Sequence, residues 1–190
     1  MQVVNLFGAP GVGKTINALY ITAHLKAAGV RAEFANEWIK DKVYEGTPYP
    51  FNDQIYTFAK QRKKMLERLP HEKLEVIVTD SPLIMSLAYV TEYDDLFTLL
   101  VNREFSKMNN LNFLLTRDPN MEYDTVGRLQ ADAEEADLIY PKIKKVLEAN
   151  CIKHTELMSS KGVSETIANL VLQGVIRDRH NEALKNKKAE

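Results

Sequence analysis

One short segment constrains the fold of this chain more than any other feature of the sequence. It reads Gly8-Ala9-Pro10-Gly11-Val12-Gly13-Lys14-Thr15 and matches the pattern G-x-x-x-x-G-K-T in full. An apolar run at 3–7 precedes it, and apolar residues at helical spacing follow it over 15–28. Pattern and context together predict a strand, a tight glycine-rich turn and a helix in direct succession.

This turn has the properties of a binding site for phosphate groups. Its glycines allow the backbone N–H groups to turn inward, and the helix that follows adds the positive end of its dipole. We expect Lys14 to reach the β- and γ-phosphates of a nucleotide and the Thr15 hydroxyl to coordinate Mg2+, which prefers oxygen ligands. The sequence contains neither Asn-Lys-Asp nor Thr-Lys-x-Asp, the signatures of guanine recognition, which favours ATP and leaves GTP open.

Strand-like and helix-like segments alternate along the whole chain. The predicted strands are 3–7, 32–35, 76–79, 113–116 and 152–157. The predicted helices are 15–28, 53–69, 82–89, 96–107, 129–149 and 163–175. This alternation indicates an α/β fold, a parallel sheet with helices on both faces. Two stretches with Pro and Gly, 44–52 and 117–127, are predicted to be loops within reach of a ligand.

Composition bounds the class of protein. The 190 residues are 45% hydrophobic and 27% charged, which fits one folded domain and excludes collagen-like and wholly disordered chains. Twenty-five Lys and Arg oppose 26 Asp and Glu, so a formal charge of −1 gives no overall positive field for nucleic acid or an anionic membrane. We expect a domain over 1–176 and a charged, solvated or frayed tail over 177–190.

The cellular setting is predicted from what the sequence lacks. Cys151 is the single cysteine and cannot form an internal disulfide. Because it lies beside the apolar residue Ile152, Cys151 is predicted to be a small buried residue. The first residues show no basic, apolar leader, and no apolar run approaches the roughly 18 residues that a membrane-spanning helix needs. We therefore expect a cytoplasmic protein with no membrane partner.

Two carboxylates follow predicted strands, where the carboxyl ends of a parallel sheet line the ligand crevice. Asp80 follows 76–79 and is predicted to hold Mg2+ or to orient an attacking hydroxyl; capping of the helix that begins at Ser81-Pro82 is the structural alternative. Glu37 follows 32–35 and is our first candidate for a base that positions an acceptor hydroxyl, with Asp41 as the reserve. A surface glutamate that opens a helix is the alternative for Glu37.

Further segments give the chain a family resemblance. They are Glu37-Trp38-Ile39-Lys40-Asp41, the run from Gln54 to Arg62, Thr79-Asp80-Ser81-Pro82-Leu83 and Tyr123-Asp124-Thr125-Val126-Gly127-Arg128. With the phosphate loop, in this order and spacing, they resemble the nicotinamide riboside kinase domain of NadR and its phage relatives, a branch of the P-loop kinases. The blocks span residues 3 to 130.

The resemblance implies a P-loop NTPase fold with three α/β/α layers, a sheet order of 2-3-1-4-5 and a kinase domain over 1–176. It also implies a lid arginine, Arg128, that closes on the transferring phosphate. Arg117 is a second candidate because it follows the fourth strand at the crevice edge. The forked guanidinium of an arginine neutralises charge spread over phosphate oxygens.

The acceptor pocket is predicted to use aromatic and amide side chains, since rings stack on bases and amides read their edges. The candidates are Trp38, Asp41, Tyr44, Tyr49, Phe51, Gln54 and Gln61. The leading prediction is an ATP- and Mg2+-dependent kinase that phosphorylates a hydroxyl of a nucleoside- or nucleotide-type acceptor.

Two alternatives stay open. Phage members of this kinase group phosphorylate 5-hydroxymethyluracil within DNA, and the first alternative is that this chain is such an enzyme. If so, it would act in the host cytoplasm. Such an enzyme needs a basic rim, for which Arg62-Lys63-Lys64, Arg103, Lys107 and 185–188 are the candidates. The other alternative is an ATPase or nucleotide-driven switch without a small acceptor. The lid-like segment before Arg128 argues against this alternative and favours a kinase.

Overall fold

A parallel β-sheet forms the centre of the molecule. The computed structural model describes residues 1–47, 53–67, 73–90, 94–124 and 132–187. Its strands are β1 Gln2–Phe7, β2 Ala32–Ala35, β3 Val76–Thr79, β4 Asn109–Thr116 and β5 Thr155–Met158. They lie in the order β2-β3-β1-β4-β5, and every neighbouring pair is parallel. The predicted α/β fold and its strand order are confirmed.

Helices connect the strands and cover both faces of the sheet. They are α1 Lys14–Ala27, α2 Trp38–Tyr44, α3 Gln54–Leu66, α4 Asp95–Ser106, α5 Ala133–Asp137, α6 Ile139–Ala149 and α7 Val163–Asn186. A 3-10 helix, Leu83–Ala88, follows β3. Among the described residues, none of these helices is both long and apolar enough to cross a membrane.

Strand β1 shows how the sequence separates the two apolar layers. Successive side chains of a strand point to opposite faces, so Val4 and Leu6 join the core beneath α1 and α7. Val3 and Phe7 join the core on the other face, beneath α3, α4, α6 and the 3-10 helix. All six residues of β1 are buried, as expected for a strand covered on both faces. The result is the predicted three-layer α/β/α arrangement.

Several predicted boundaries differ from the structure. Helix α2 was not predicted, because none of its seven residues is buried and it therefore has no apolar stripe. The helix predicted over 82–89 is a 3-10 helix. The one predicted over 129–149 is observed as α5 and α6, while residues 129–131 lie outside the described part of the chain. Strand β5 begins at Thr155, three residues later than predicted. Cys151, predicted to be buried, is exposed.

The charged tail is helical where the structure describes it. Helix α7 continues to Asn186, so the predicted helix end at 175 is wrong, and of the two expectations for the tail, solvated or frayed, the solvated one agrees with the described residues. Arg179 explains part of this extension, since it forms two hydrogen bonds to the Glu75 carboxylate, 2.6 and 2.8 Å long. The side chains of 177–187 are exposed. The predicted boundary at 176 falls inside one continuous helix, and the separate role of the tail stays a prediction.

Candidate active site

The phosphate loop joins β1 to α1, as the sequence predicts. Gly8, Gly11 and Gly13 all have positive φ, and Gly13 is the residue that precedes the first turn of α1. A Cβ atom at Gly8 would lie 2.7 Å from the carbonyl oxygen of Leu115, so the close approach of β4 also requires glycine there. The loop therefore has the left-handed turns and the helix N-terminus that an anion site uses.

Lys14 crosses this loop. Its ammonium donates hydrogen bonds to the carbonyl oxygens of Gly8 and Ala9, at 2.8 and 3.0 Å. Phosphate oxygens are stronger acceptors for an ammonium than neutral carbonyls, because they are charged. The observed position thus keeps the Lys14 charge beside the loop in which we expect phosphate groups to bind.

Asp80 lies at the carboxyl end of β3 and faces the first turn of α1. Its Oδ2 accepts a 2.6 Å hydrogen bond from the Thr15 hydroxyl, and only 3% of the residue is exposed. The other oxygen, Oδ1, is buried and has no hydrogen-bond partner among the described residues. No side chain caps the 3-10 helix after Pro82, so capping does not account for Asp80.

This pair of oxygen groups fits Mg2+. The ion prefers hard oxygen ligands and usually takes one or two from the protein, completing its shell with phosphates and water. Thr15 Oγ1 and the unpartnered Asp80 Oδ1 supply two such oxygens next to the phosphate loop. Within the described ranges, no group of three or more His, Cys, Asp and Glu side chains is placed to hold a metal alone. The arrangement suits an ion that is bound together with nucleotide phosphates.

Glu37 lies directly before α2 and projects into the same crevice. It occupies the N-cap position of that helix, yet its side chain makes no capping hydrogen bond. The side chain lines a cavity together with Lys14 and Asp80. Removal from water raises the pKa of Glu37 to about 7; the positive charge of Lys14 opposes this shift and the negative charge of Asp80 adds to it. A carboxylate with such a pKa can take up and release a proton near neutral pH.

Gln61 fixes the backbone on both sides of Glu37. Its Oε1 accepts a 2.8 Å hydrogen bond from the Trp38 N–H, and its Nε2 donates a 3.3 Å bond to the Asn36 carbonyl. The Gln61 residue is buried. Substrate contact is predicted for Gln61 from the sequence, and the structure places this residue at the cavity wall with these two backbone contacts.

One cavity of about 500 Å3 contains the phosphate loop at one end and α2, α3 and the 3-10 helix at the other. Such a volume is within the usual range for small-molecule sites. Its lining includes the predicted residues Gly11, Gly13, Lys14, Thr15, Glu37, Gln54, Gln61 and Asp80. The structure therefore brings together the predicted phosphate, metal and base positions.

Other predicted residues lie elsewhere. Trp38 packs edge-on against Tyr56 at 5.5 Å, Asp41 pairs with Lys64 at 3.2 Å, and Tyr44 is 64% exposed. None of Trp38, Asp41 and Tyr44 belongs to the lining of the cavity, so their contact with substrate stays a prediction. Tyr49, Phe51 and Arg128 lie outside the described residues.

Tyr89 is a cavity residue that the sequence analysis did not select. It follows the 3-10 helix directly and lines the cavity, with 37% of the residue exposed. The pKa of its phenol is raised, because the hydroxyl is withdrawn from bulk water and lies near the negative charge of Glu37. The neutral hydroxyl can donate a hydrogen bond within the site. A single aromatic residue at the end of a predicted helix carries no chemical pattern, so only the fold reveals its position.

Arg117 lies beside the phosphate loop, outside the cavity lining. Its Nη2 donates a 3.0 Å hydrogen bond to the Pro10 carbonyl, and its Nε and Nη2 both bond to the Asp137 carboxylate. The ring of Tyr123 lies 5.4 Å from the centre of the guanidinium. The predicted arginine is therefore next to the phosphate site, with its charge paired to Asp137.

Four of the basic residues considered for DNA binding have partners within the chain. Arg62 pairs with Glu104 at 2.8 Å, Lys63 with Glu67 at 3.6 Å and Lys64 with Asp41 at 3.2 Å. Lys107 also pairs with Glu104, at 2.5 Å. Each pairing reduces the positive field that these side chains present to a polyanion.

Comparisons with known proteins agree with the fold. A family model described as AAA domain matches residues 3–165. Thymidylate kinase from Ehrlichia chaffeensis, a solved structure, is similar with a TM-score of 0.55 and 11% identity, covering 90% of this chain and 98% of that chain. At this identity the likeness shows the P-loop kinase-type fold alone. The search of curated proteins finds no match.

Proposed function

Because the chain belongs to this AAA domain family and has a P-loop kinase-type fold, we propose that it is an ATP- and Mg2+-dependent phosphotransferase. Its acceptor is a hydroxyl group of a nucleoside- or nucleotide-type molecule. One observation carries the proposal: Lys14 and Thr15 share a cavity with Glu37 and Asp80, and that cavity extends beyond them between α2, α3 and the 3-10 helix.

The donor end of the cavity suits the triphosphate. The loop N–H groups and Lys14 neutralise the phosphate charge, while Thr15 and Asp80 hold Mg2+. The bound ion supplies positive charge that stabilises the phosphate oxygens during transfer. Phosphoryl transfer needs little covalent work from the protein, so these positions and charges account for most of the catalysis.

The acceptor end suits a small molecule with hydroxyl groups. Gln54, Thr57, Ser86 and Tyr89 contribute polar groups to the wall, and Ile39, Val43, Pro82 and Met85 contribute apolar surface. A mixed wall of this kind suits a ring that carries polar edges. The roles of Trp38, Asp41 and Tyr44 at this end remain part of the proposal.

In the proposed reaction the acceptor oxygen attacks the γ-phosphorus. The bond between the γ-phosphorus and the oxygen that bridges it to the β-phosphorus breaks, and ADP leaves with that electron pair. The proton of the acceptor hydroxyl passes to the Glu37 carboxylate. This assignment is supported by the half-buried position of Glu37 and by its pKa of about 7.

The test follows labelled γ-phosphate from ATP into a panel of acceptors. The panel contains nicotinamide riboside, the common nucleosides and nucleotides, and DNA with 5-hydroxymethyluracil. Label on a small molecule supports the proposal, label on DNA assigns the DNA alternative, and release of free phosphate with every acceptor overturns a transfer function.

A variant pair ties this activity to the site. Lys14→Ala is expected to lower transfer at least about a thousandfold, because charge neutralisation and positioning dominate this chemistry. Lys26→Ala is the matched control, since Lys26 is on the same helix but forms an exposed ion pair with Glu33. Near-normal transfer by Lys14→Ala would show that the reaction uses another site.

A second candidate function is that of an ATPase whose product is a conformational change. The AAA domain match over 3–165 favours it. Such an ATPase would release phosphate at the same rate with or without an acceptor. An acceptor-dependent increase in ADP formation distinguishes the kinase from it.

A further inference from the structure

Asp137 is an acidic residue that neither the sequence analysis nor the proposed reaction uses. It is the last residue of α5 and its side chain is 46% exposed, whereas the Arg117 side chain that it contacts is 15% exposed. Both Asp137 oxygens take part: Nε donates to Oδ1 and Oδ2 at 3.1 Å, and Nη2 donates to Oδ1 at 2.6 Å. A contact with two nitrogens fixes the plane of the guanidinium as well as its position.

One nitrogen of the Arg117 guanidinium takes no part in the hydrogen bonds described above. A guanidinium has five N–H groups, one on Nε and two on each Nη. The Nε group and both Nη2 groups have acceptors, which are Asp137 and the Pro10 carbonyl at 3.0 Å. Nη1 is buried and has no acceptor among the described residues.

A buried donor on a charged group is costly to leave without an acceptor. Nη1 is bonded to the same carbon as Nη2, and Nη2 touches the phosphate loop at Pro10. The free N–H groups are therefore beside the loop in which the proposed function places the nucleotide. Arg117 can donate from Nη1 to a nucleotide oxygen there while it keeps its present hydrogen bonds.

We propose that Asp137 is a positioning residue for nucleotide binding, which holds Arg117 against the phosphate loop so that Nη1 donates to the bound nucleotide. This inference rests on the proposed function, because it needs ATP in the loop. The chemistry recognised is an anionic or polar oxygen of the nucleotide. Asp137 itself does not touch the ligand.

The test measures binding of a non-hydrolysable ATP analogue with Mg2+, using Asp137→Asn, Arg117→Ala and the double variant. Glu134→Gln is the matched control, because Glu134 is an exposed carboxylate on the same helix. Asp137→Asn is expected to weaken binding about tenfold, the usual size for one charge-assisted hydrogen bond. The double variant is expected to bind like Arg117→Ala, because Asp137 acts only through Arg117. Arg117→Lys replaces Arg117→Ala if the latter does not fold.

Kinetics separate positioning from a structural role. Asp137→Asn is expected to raise KM for ATP about tenfold and to change kcat less than threefold, in a protein that is still folded in the absence of nucleotide. Binding by Asp137→Asn within twofold of the wild type, tighter binding, or additive effects in the double variant would each overturn the inference. Failure of the wild type to bind the analogue would instead overturn the proposed function on which the inference rests.

Discussion

Thr15 and Asp80 are 65 residues apart in the sequence, yet the Thr15 hydroxyl donates a 2.6 Å hydrogen bond to the Asp80 carboxylate. The contact links the first turn of α1 to the carboxyl end of β3. It exists because β3 pairs with β1, which brings the residue after β3 next to the loop after β1. Two oxygen groups thereby face the site proposed for Mg2+.

The Thr15–Asp80 pair predicts how the reaction depends on Mg2+. Asp80→Asn removes the negative charge and is expected to lower kcat at least about a hundredfold and to raise the Mg2+ concentration needed for half-maximal rate. Affinity for ATP is expected to change far less. Thr15→Ser keeps the hydroxyl and serves as the control, while Thr15→Ala removes it. Transfer by a folded Asp80→Asn protein at a third or more of the wild-type rate would refute this role.

Glu37 predicts a dependence of the rate on pH. The base must be ionised, so kcat/KM is expected to rise with pH and to level off above about 7, the pKa of this carboxyl. Glu37→Gln is expected to have a low rate without this rise. The measurement is a pH–rate profile of both proteins. A wild-type profile that is flat over a range of about 3 pH units centred on the pKa of Glu37 would contradict the assignment of Glu37 as the base.

The same carboxyl predicts a dependence of stability on pH. Its pKa is raised from 4.5 to about 7 on folding, so the folded state binds more protons between these values. The free energy of unfolding therefore decreases as pH rises from 4.5 to 7, and the full cost of the half-buried charge is present above pH 7. Glu37→Gln is expected to be more stable than the wild type by about 1–3 kcal/mol at pH 8 and equal to it below pH 4.5. Urea unfolding at both pH values, without Mg2+ or nucleotide, measures this. Equal stability at pH 8 would contradict the raised pKa.

The backbone hydrogen bonds of Gln61 predict that this buried amide supports the proposed base, Glu37, indirectly. Gln61→Leu keeps the volume but removes the acceptor of the Trp38 N–H, at an expected cost of about 1–3 kcal/mol of unfolding free energy. It is also expected to lower kcat, because the backbone on both sides of Glu37 loses its anchor. Gln173→Leu on the exposed side of α7 is the control. Unchanged stability and rate in Gln61→Leu would show that α2 holds Glu37 without this residue.

Glu75 and Arg179 predict the response of the chain to acid. The hydrogen bonds from Arg179 lower the pKa of Glu75 to about 2. This contribution to stability is complete above pH 4.5, the ordinary value, and is lost as pH falls towards 2. Glu75→Gln is expected to cost about 1 kcal/mol at pH 7, with a smaller difference from the wild type at pH 3. Urea unfolding at both pH values measures the difference, with exposed Glu148→Gln as the control. If the difference in stability between Glu75→Gln and the wild type were the same at both pH values, the ion pair of Glu75 with Arg179 would not be its cause.

The sequence by itself determined the sheet and the phosphate loop. Apolar runs and helical spacing reflect burial on the faces of elements that are continuous in the chain, so they fix the alternation of strands and helices. The loop motif is local as well, since its glycines, Lys14 and Thr15 are adjacent. Asp80 and Glu37 were found because each directly follows a strand, a position that places a residue at the crevice edge.

Only the tertiary structure decided which side chains meet. The contact of Gln61 with the backbone around Glu37 spans more than 20 residues, and that of Arg117 with Asp137 spans 20. Neither contact has a periodic or local pattern in the sequence. Trp38 looked like a stacking ring, yet its ring packs on Tyr56, because a short helix without buried residues is placed by its neighbours. Tyr89 likewise enters the cavity through the packing of the 3-10 helix. Side-chain partners across elements depend on how those elements pack, and that packing is a property of the whole chain.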